Sequence, residues 1–317
     1  MKQLMNELGS SKTPFLFILD YELKNPLIIR LTDVDSTNIK YNFGLQQNHK
    51  NIVTEKTPKL SYKPISKKIY KKAFDKVIDE QTKGNNYLLN LTFSTKITNS
   101  LSLLDIFYAS NAKYKLLIDN KFVVFSPEPF VKIIDGIILS YPMKGTIDSS
   151  IPNAKDLLLA DTKENQEHTT IVDLIRNDLS LVSKDVTVTK FKYLDEITTS
   201  NKTLLQMSSE IKGKLPNGYH SKLGDIIYAL LPAGSITGAP KKKCVELISK
   251  IENHKRGYYS GIMGIFDGNN IDSAVMIRFI EKQQNEYYYK SGGGIRIDSN
   301  MDKEYQELND KIYLPIY

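Results

Sequence analysis

The stretch Tyr114-Lys-Leu-Leu-Ile-Asp-Asn-Lys-Phe-Val-Val-Phe125 contains two short apolar runs separated by Asp119-Asn120. Apolar, β-branched and aromatic residues on both sides of such a turn are typical of a β-hairpin. Similar tight turns occur at Asp135-Gly136 and at Asp267-Gly-Asn-Asn270. Because a tight turn joins antiparallel neighbours, these segments favour antiparallel sheets over a doubly wound parallel sheet.

Other segments extend this pattern along the chain. Further strand-like runs are Phe15 to Asp20, Leu27 to Leu31, Tyr87 to Phe93, Gly136 to Leu139 and Val186 to Phe191. Two segments instead carry apolar residues at helical spacing, Ser66 to Lys83 and Thr170 to Val182. Since strands outnumber helices, the sequence predicts an α+β protein with antiparallel sheets and helices packed outside them.

No Pro-, Gly- or Ser-rich linker and no low-complexity tract divides the 317 residues. We therefore expect a single compact unit over residues 1–317. Within it, residues 1–65 are predicted to form a β-rich layer. Residues 66–317 are predicted to form the region that carries the functional side chains.

Charge and cysteine content limit the possible classes of protein. Lysine and arginine outnumber aspartate and glutamate by 43 to 36, but they are dispersed, which argues against nucleic-acid binding and suits a small anionic substrate. The single cysteine, Cys244, cannot form an internal disulfide, and residues 1–10 lack the apolar core of a signal peptide. No apolar run is long enough to span a bilayer. We expect a cytoplasmic protein without a membrane partner.

Two ionisable residues follow apolar segments. Lys144 lies in Ser140-Tyr-Pro-Met-Lys-Gly-Thr146, where a cleft with little water would disfavour the ammonium and give a nucleophilic amine. Glu128 lies in Ser126-Pro-Glu-Pro-Phe130, and burial would raise its pKa as a general acid requires. Taken alone, each of the two is more often a solvated turn residue.

Carboxylates occupy one face of each of two predicted helices. Glu167 and Asp178 are about three helical turns apart, and Glu304, Glu307 and Lys311 follow at spacings of three and four. Glutamates that converge from two helices would suit Mg²⁺, which binds one or two carboxylates and completes its shell with water and substrate oxygen. In isolation, surface ion pairs are the ordinary interpretation of the second group.

Two glycine-containing segments indicate sites where backbone approaches a ligand. Gly234 to Lys241 opens a helix whose free amides would attract an anion, although an ordinary capped helix explains the segment as well. Gly292, Gly293 and Gly294 interrupt the strand-like run Tyr287 to Ile297. They indicate either a bound ligand or a β-bulge.

These segments are accompanied by Ile171-Val-Asp-Leu-Ile-Arg-Asn-Asp178, Arg256-Gly-Tyr-Tyr-Ser-Gly261 and Ala274-Val-Met-Ile-Arg278. In this order they resemble the chorismate-utilising enzymes, and the resemblance runs from about Tyr70 to Lys311. The family includes anthranilate synthase component I, aminodeoxychorismate synthase component I, isochorismate synthase and salicylate synthase. It implies two stacked antiparallel β-sheets flanked by helices, and it makes residues 66–317 a chorismate-binding region.

The resemblance also implies roles for individual residues. Glu167 and Glu307 would hold Mg²⁺, with Glu304 beside it through water, and Glu128 would protonate the departing C4 hydroxyl. Arg176 would be scaffold, paired with a carboxylate that ties helix to sheet. Residues in contact with the substrate or its two carboxylates would be Thr237, Tyr259, Arg278, Gly292, Gly293, Gly294 and Lys311.

The Lys-Gly-Thr sequence at Lys144 resembles aminodeoxychorismate synthase component I, whereas anthranilate synthases have alanine there. It implies that the amine attacks C2 of chorismate while C4 loses hydroxide. Ammonia then enters at C4 and expels the lysine, giving 4-amino-4-deoxychorismate on the para-aminobenzoate and folate pathway. Leu88 stands where isochorismate and salicylate synthases carry a water-activating lysine. Leu88 and Gln206 also depart from residues common in the ammonia-using members.

The source of ammonia is the remaining expectation. One cysteine and four histidines give no glutaminase signature, so ammonia must come from solution or from a separate glutamine amidotransferase subunit. The resemblance implies the subunit, in a heterodimer. Two alternatives stay open, anthranilate synthase component I and a non-catalytic anion-binding protein.

Overall fold

A computed structural model describes residues 1–44, 46–50, 52, 60–198 and 203–316. The helices in these ranges are α1 (Lys2–Ser10), α2 (Lys67–Thr82), α3 (Leu103–Ala109), α4 (Ala154–Ala160), α5 (Thr162–Ser180), α6 (Leu223–Ala229), α7 (Lys241–Ile251) and α8 (Met301–Asp310). The strands are β1 (Phe15–Leu19), β2 (Leu27–Arg30), β3 (Ile39–Phe43), β4 (Leu60–Tyr62), β5 (Leu88–Asn99), β6 (Tyr114–Ile118), β7 (Phe122–Ser126), β8 (Pro129–Ile134), β9 (Ile137–Ser140), β10 (Met143–Asp148), β11 (Lys184–Thr198), β12 (Thr203–Lys214), β13 (Gly238–Ala239), β14 (Ile262–Phe266), β15 (Ile271–Val275), β16 (Phe279–Gln283) and β17 (Glu286–Ile295).

The strands form two antiparallel sheets. The nine-stranded sheet has the order β10-β12-β9-β8-β15-β14-β1-β2, with β11 beside β12. The eight-stranded sheet has the order β13-β5-β17-β16-β7-β6-β3, with β4 beside β5. The hairpin predicted around Asp119-Asn120 is β6 and β7, paired from Tyr114 with Ser126 to Ile118 with Phe122. The predicted α+β class with two antiparallel sheets is confirmed.

Strand β1 shows how the sheets stack. All its residues are buried, because each of its two faces is covered. Leu16 and Ile18 belong to an apolar cluster with Leu116 of β6, in the other sheet. Phe15 and Phe17 point to the opposite face, as the period of two in a strand requires, and pack in a cluster with residues of α1 and α6.

The predicted ends agree with the observed ends for α2 but not for α5. Helix α2 matches the prediction from Ser66 to Lys83 closely, and the Ser66 hydroxyl accepts a hydrogen bond from the amide of Ile69. Helix α5 begins eight residues before the predicted Thr170, with Asp161 capping it. Its first two turns are polar, so apolar periodicity does not reveal them.

The N-terminal segment contributes to both sheets. Strands β1 and β2 extend the nine-stranded sheet, and β3 and β4 pair within the eight-stranded sheet. The division into residues 1–65 and 66–317 stays a prediction. Among the described residues, no helix combines the length and apolarity that crossing a membrane requires.

Candidate active site

A cavity of about 390 Å³ contains most of the predicted functional side chains. Its walls include β17 of the eight-stranded sheet, β10 of the nine-stranded sheet, and α5. The predicted residues that line it are Glu128, Lys144, Glu167, Tyr259, Arg278, Gly292, Gly293, Gly294, Glu307 and Lys311. Thr237 and Glu304 are buried and are not among the residues that line it. A larger groove of about 1110 Å³ along α5 contains none of these residues.

Lys144 enters the cavity from β10, where the pairing with β12 shifts register between Met143 and Thr146. Irregularities of this kind redirect side chains at the edges of sheets. The amine Nζ lies 3.0 Å from Oε2 of Glu167 on α5. The glycine that follows, Gly145, has a φ of +78°, which a residue with a Cβ rarely adopts.

The expectation of an uncharged Lys144 is wrong for the substrate-free protein. Burial alone would lower the pKa of the amine, but the negative charges of Glu167 and Glu307 outweigh it and raise the pKa. Lys144 is therefore a partly buried ammonium that pairs with Glu167. The sequence indicated the desolvation but not the distance to these carboxylates.

Four carboxylates reach this region from two helices with the same spacing. Glu164 and Glu167 are three residues apart on α5, and Glu304 and Glu307 are three apart on α8. Lys163 joins the two pairs, since its Nζ lies 2.8 Å from Oε1 of Glu304 and 3.9 Å from Oε1 of Glu167. Glu164 also lines the cavity. Glu164 was not among the predicted site residues, although the sequence contains the same Glu-x-x-Glu spacing twice.

Glu307 forms an ion pair with Lys311, whose Nζ lies 2.6 Å from its Oε1. Burial would raise the pKa of Glu307, but the charge of Lys311 and its hydrogen bond lower it to about 2. The same amine donates a hydrogen bond to the carbonyl oxygen of Gly292 at 2.9 Å. Glu307 is thus an ionised carboxylate fixed beside the glycine-containing strand.

The donor set fits a magnesium ion. Glu304 Oε2 is buried and has no hydrogen-bond partner in the described part of the chain, and it remains available to a water molecule or a cation. No three His, Cys, Asp or Glu side chains of the described residues are arranged as ligands of one metal ion. Mg²⁺ commonly binds through only one or two carboxylates and keeps several waters. Glu167 and Glu307, with Glu304 behind them, satisfy that smaller requirement.

The three consecutive glycines make room in the cavity rather than a bulge. Strand β17 pairs with β5 in unbroken register through Gly292, Gly293 and Gly294. A Cβ on Gly293 would lie 3.3 Å from Oε1 of Glu307, and one on Gly294 would lie 3.8 Å from Nζ of Lys144. The bulge interpretation is wrong.

Glu128 follows β7 and is held by a neighbour that the sequence analysis did not single out. Ser235 donates a hydrogen bond of 2.5 Å from its hydroxyl to Oε1 of Glu128. Burial raises the pKa of Glu128, and the Ser235 hydrogen bond and the charge of Lys144 oppose this only in part. The direction of the pKa shift is the one expected from the sequence.

The loop that contains Ser235 also places Thr237, but outside the cavity lining. Thr237 is completely buried, and its hydroxyl donates to the carbonyl oxygen of Ala233 at 2.7 Å. Ser235 and Ile236 line the cavity instead. Direct contact between Thr237 and a ligand therefore requires a different arrangement of this loop.

The scaffold role expected of Arg176 is wrong, because this arginine is exposed and pairs with Asp173 on its own helix. Asp178 connects α5 to the first turn of α7, through Lys241 at 2.6 Å. A buried arginine does support the site. Arg256 donates to the carbonyl oxygens of Ile236 and Asn90, both of which line the cavity.

Comparisons with known proteins place the chain in a family. Residues 24–316 match the family of chorismate binding enzymes. A "PabA-like" protein of Haemophilus influenzae is 48% identical over 312 residues, which cover 98% of this chain and 95% of that protein. A second "PabA-like" protein, from Pasteurella multocida, is 46% identical over 317 residues, covering 99% and 98% of the two chains.

The same fold occurs in a solved structure. The menaquinone-specific isochorismate synthase of Escherichia coli superimposes with a TM-score of 0.75 at 15% identity, over 98% of this chain and 80% of that chain. At this identity the likeness concerns the fold alone. Together with the match over residues 24–316, it supports one conclusion: the chain belongs to the family of chorismate-binding enzymes.

Proposed function

We propose that this protein aminates chorismate with ammonia to form 4-amino-4-deoxychorismate, as an aminodeoxychorismate synthase component I in para-aminobenzoate and folate synthesis. The observation that carries the proposal is the presence of Lys144 and Glu128 in one cavity. This pair supplies a nucleophile and an acid, which amination at C4 through a covalent adduct needs. A protein that only binds anions needs neither.

The cavity also offers charges that suit a dianionic substrate. Arg278 and Lys311 are cations in its wall, and arginine suits a bidentate grip on a carboxylate. Glu167 and Glu307 would hold Mg²⁺, with Glu164 and Glu304 beside it through water. When bound, the cation would supply positive charge to the ring carboxylate of chorismate.

In the proposed reaction, Nζ of Lys144 attacks C2 while Glu128 gives its proton to the C4 hydroxyl, which leaves as water. Ammonia then bonds to C4, and the bond between C2 and the lysine nitrogen breaks. The ammonium of Lys144 must first lose a proton. If Glu167 held the cation, its charge would no longer be free to stabilise the ammonium of Lys144, and desolvation would then favour the neutral amine.

Ammonia is proposed to come from a separate glutamine amidotransferase subunit. Cys244, the single cysteine of the chain, is fully buried, and its thiol lies 3.3 Å from the carbonyl oxygen of Leu88. Burial raises the pKa of this thiol to about 12, so it does not form the thiolate that glutamine hydrolysis requires. The chain itself therefore lacks a glutaminase nucleophile.

Mass spectrometry of the products formed from chorismate, ammonium and Mg²⁺ tests the proposal. We expect 4-amino-4-deoxychorismate, which an added aminodeoxychorismate lyase converts to para-aminobenzoate. Anthranilate, which is fluorescent and forms without a lyase, would identify the anthranilate synthase alternative. Isochorismate or salicylate would contradict amination altogether, and unchanged chorismate would favour an anion-binding protein.

A further inference from the structure

Arg278 lies where the chain crosses from one sheet to the other. Strand β15 of the nine-stranded sheet ends at Val275, and β16 of the eight-stranded sheet begins at Phe279. Arg278 adopts a φ of +54°, a left-handed conformation that is uncommon for residues other than glycine. Non-glycine residues in this region are concentrated at functional sites, where the surrounding structure maintains them.

The guanidinium of Arg278 has an aromatic partner. Its Nε donates a hydrogen bond of 3.2 Å to the hydroxyl of Tyr313, and its Cζ lies 5.3 Å from the centre of the same ring. Among the described residues, no carboxylate forms an ion pair with Arg278. The arginine is thus held by an uncharged side chain, and its positive charge remains available to an anion in the cavity.

Hydrogen bonds and apolar packing hold the chain segment that contains Tyr313. The hydroxyl of Tyr289, a completely buried residue of β17, donates to the carbonyl oxygen of Tyr313 at 3.0 Å. Two residues further, the carbonyl oxygen of Pro315 accepts a hydrogen bond of 2.7 Å from the amide of Asn111. Ile312 packs in an apolar cluster with Tyr289. The segment after α8 is therefore attached on both sides of Tyr313, to β17 through Tyr289 and to the loop between α3 and β6 through Asn111.

We propose that Tyr313 is a positioning residue that fixes Arg278 for one carboxylate of the substrate, an inference that rests on the proposed function. The hydroxyl of Tyr313 accepts the hydrogen bond of Nε, and the ring of Tyr313 lies against the guanidinium. The two terminal nitrogens, Nη1 and Nη2, are left to grip the carboxylate end-on. Without the hydroxyl, the guanidinium rotates among several rotamers, and ordering it on binding costs free energy.

The effect should appear in substrate binding rather than in the chemical step. A carboxylate grip is the same before and during the reaction at C2 and C4, so its weakening raises KM and leaves kcat almost unchanged. We expect Tyr313→Phe to raise KM for chorismate about fivefold, equivalent to about 1 kcal/mol. Tyr313→Leu, which also removes the ring, should raise KM further.

Three variants and two measurements test this inference. Calorimetric titration with chorismate and Mg²⁺ is done in a Lys144→Arg background, which cannot form the covalent adduct. Adding Tyr313→Phe to this background should weaken binding about fivefold at an unchanged melting temperature. Tyr62→Phe is the matched control, because it removes a hydroxyl that donates at 3.0 Å to the carbonyl oxygen of Asn309, and neither residue lines the cavity. It should bind chorismate as the wild type does.

Two outcomes overturn the inference separately from the proposed function. If the wild type binds and aminates chorismate while Tyr313→Phe and Tyr313→Leu match its affinity and KM, Tyr313 does not position Arg278. If Tyr313→Phe lowers kcat or melting temperature but not affinity, its role is structural. A wild-type protein that neither binds nor consumes chorismate would overturn the proposed function and this inference with it.

Discussion

The amine of Lys144 and the carboxylate of Glu167 form a part-buried ion pair, with 3.0 Å between Nζ and Oε2. Glu167 is almost completely buried, so loss of its closer cationic partner would leave a weakly neutralised charge with little access to water. The lysine therefore has two separable roles in this cavity. It neutralises Glu167 in the resting protein, and we propose that it attacks the substrate.

Substitution of Lys144 should separate these roles. Lys144→Met should lose turnover of chorismate and also lower the melting temperature, because Glu167 keeps only the more distant Lys163, at 3.9 Å, as a cationic partner. Lys144→Arg should lose turnover but keep most of the stability. A guanidinium can pair with Glu167, but it stays protonated at neutral pH and does not act as a nucleophile. Activity assays with thermal unfolding check both expectations. Wild-type turnover in either variant would remove the covalent lysine from the mechanism.

Glu128 should impose a pH dependence on activity. Because burial raises its pKa, Glu128 stays protonated above the range of an exposed glutamate, and its role as an acid ends when pH rises through the raised value. The falling limb of the pH profile of kcat/KM should therefore disappear in Glu128→Gln, with the rate lowered about 10²- to 10⁴-fold. A falling limb that persists in Glu128→Gln belongs to another group.

The stability of Glu128→Gln should change with pH in a defined direction. A carboxyl with a raised pKa in the folded protein favours folding at low pH, and this contribution is lost as pH rises from its unfolded pKa through its folded pKa. The wild type loses the contribution of Glu128 to stability over this window, whereas the glutamine variant has no such contribution to lose. The melting temperature of Glu128→Gln relative to wild type should therefore rise with pH, whereas a constant difference would contradict the raised pKa.

Adjacent glycines should respond differently to alanine. A Cβ at Gly292 would lie 2.4 Å from the carbonyl oxygen of Leu91, so Gly292→Ala must displace backbone and should destabilise the fold by about 1–3 kcal/mol. At Gly293 the nearest atom is Oε1 of Glu307, the end of a flexible side chain. Gly293→Ala should fold normally and bind chorismate more weakly. Denaturant unfolding and calorimetry distinguish the two, and equal stability losses would contradict this assignment.

Magnesium should stabilise the protein through the carboxylate pair. A ligand that binds only the folded state adds about 2.7 kcal/mol at one hundred times its dissociation constant. The melting temperature should rise with Mg²⁺ in the wild type and not in Glu167→Gln or Glu307→Gln. Glu246→Gln, on the exposed face of α7, serves as control because its ion pairs with Lys243 and Lys250 are at the surface. A response that survives both cavity substitutions would place the cation elsewhere.

The buried pair of Arg256 and Glu252 should dominate stability near the site. Both side chains are almost completely inaccessible, and Nη2 of Arg256 lies 2.7 Å from Oε1 of Glu252. Arg256→Met should cost about 3–5 kcal/mol, because Glu252 would remain as an unpaired buried charge. Arg176→Met removes an exposed arginine with a similar ion pair and should cost less than about 1 kcal/mol. Comparable losses in urea unfolding would contradict this difference.

Local sequence patterns were sufficient for several elements of the fold, but not for β10, which carries Lys144. The hairpin of β6 and β7 and the extent of α2 followed from turn residues and apolar spacing. The start of α5 did not, because its polar first turns contain Lys163 and Glu164, whose function depends on α8. Apolar periodicity identifies the buried face of a helix. Charged residues that pair with a second helix do not contribute to this periodicity, so the sequence of one helix alone does not reveal them.

The charge on Lys144 and the partner of Arg278 show what sequence could not supply. The desolvation of Lys144 could be anticipated from its apolar neighbours, but its pKa depends on Glu167 and Glu307, which lie on other elements. Tyr313 follows α8 in the sequence without any feature that marks it. Its importance appears only when the crossover between the sheets brings Arg278 against its ring.

Intact-protein mass spectrometry with chorismate and Mg²⁺, in the absence of ammonia, tests the covalent mechanism most directly. We expect a mass gain equal to chorismate minus one water, located on Lys144 by peptide mapping and lost when ammonium is added. Lys144→Arg should show no such gain. Formation of 4-amino-4-deoxychorismate by a protein whose Lys144 is never modified would contradict the covalent adduct.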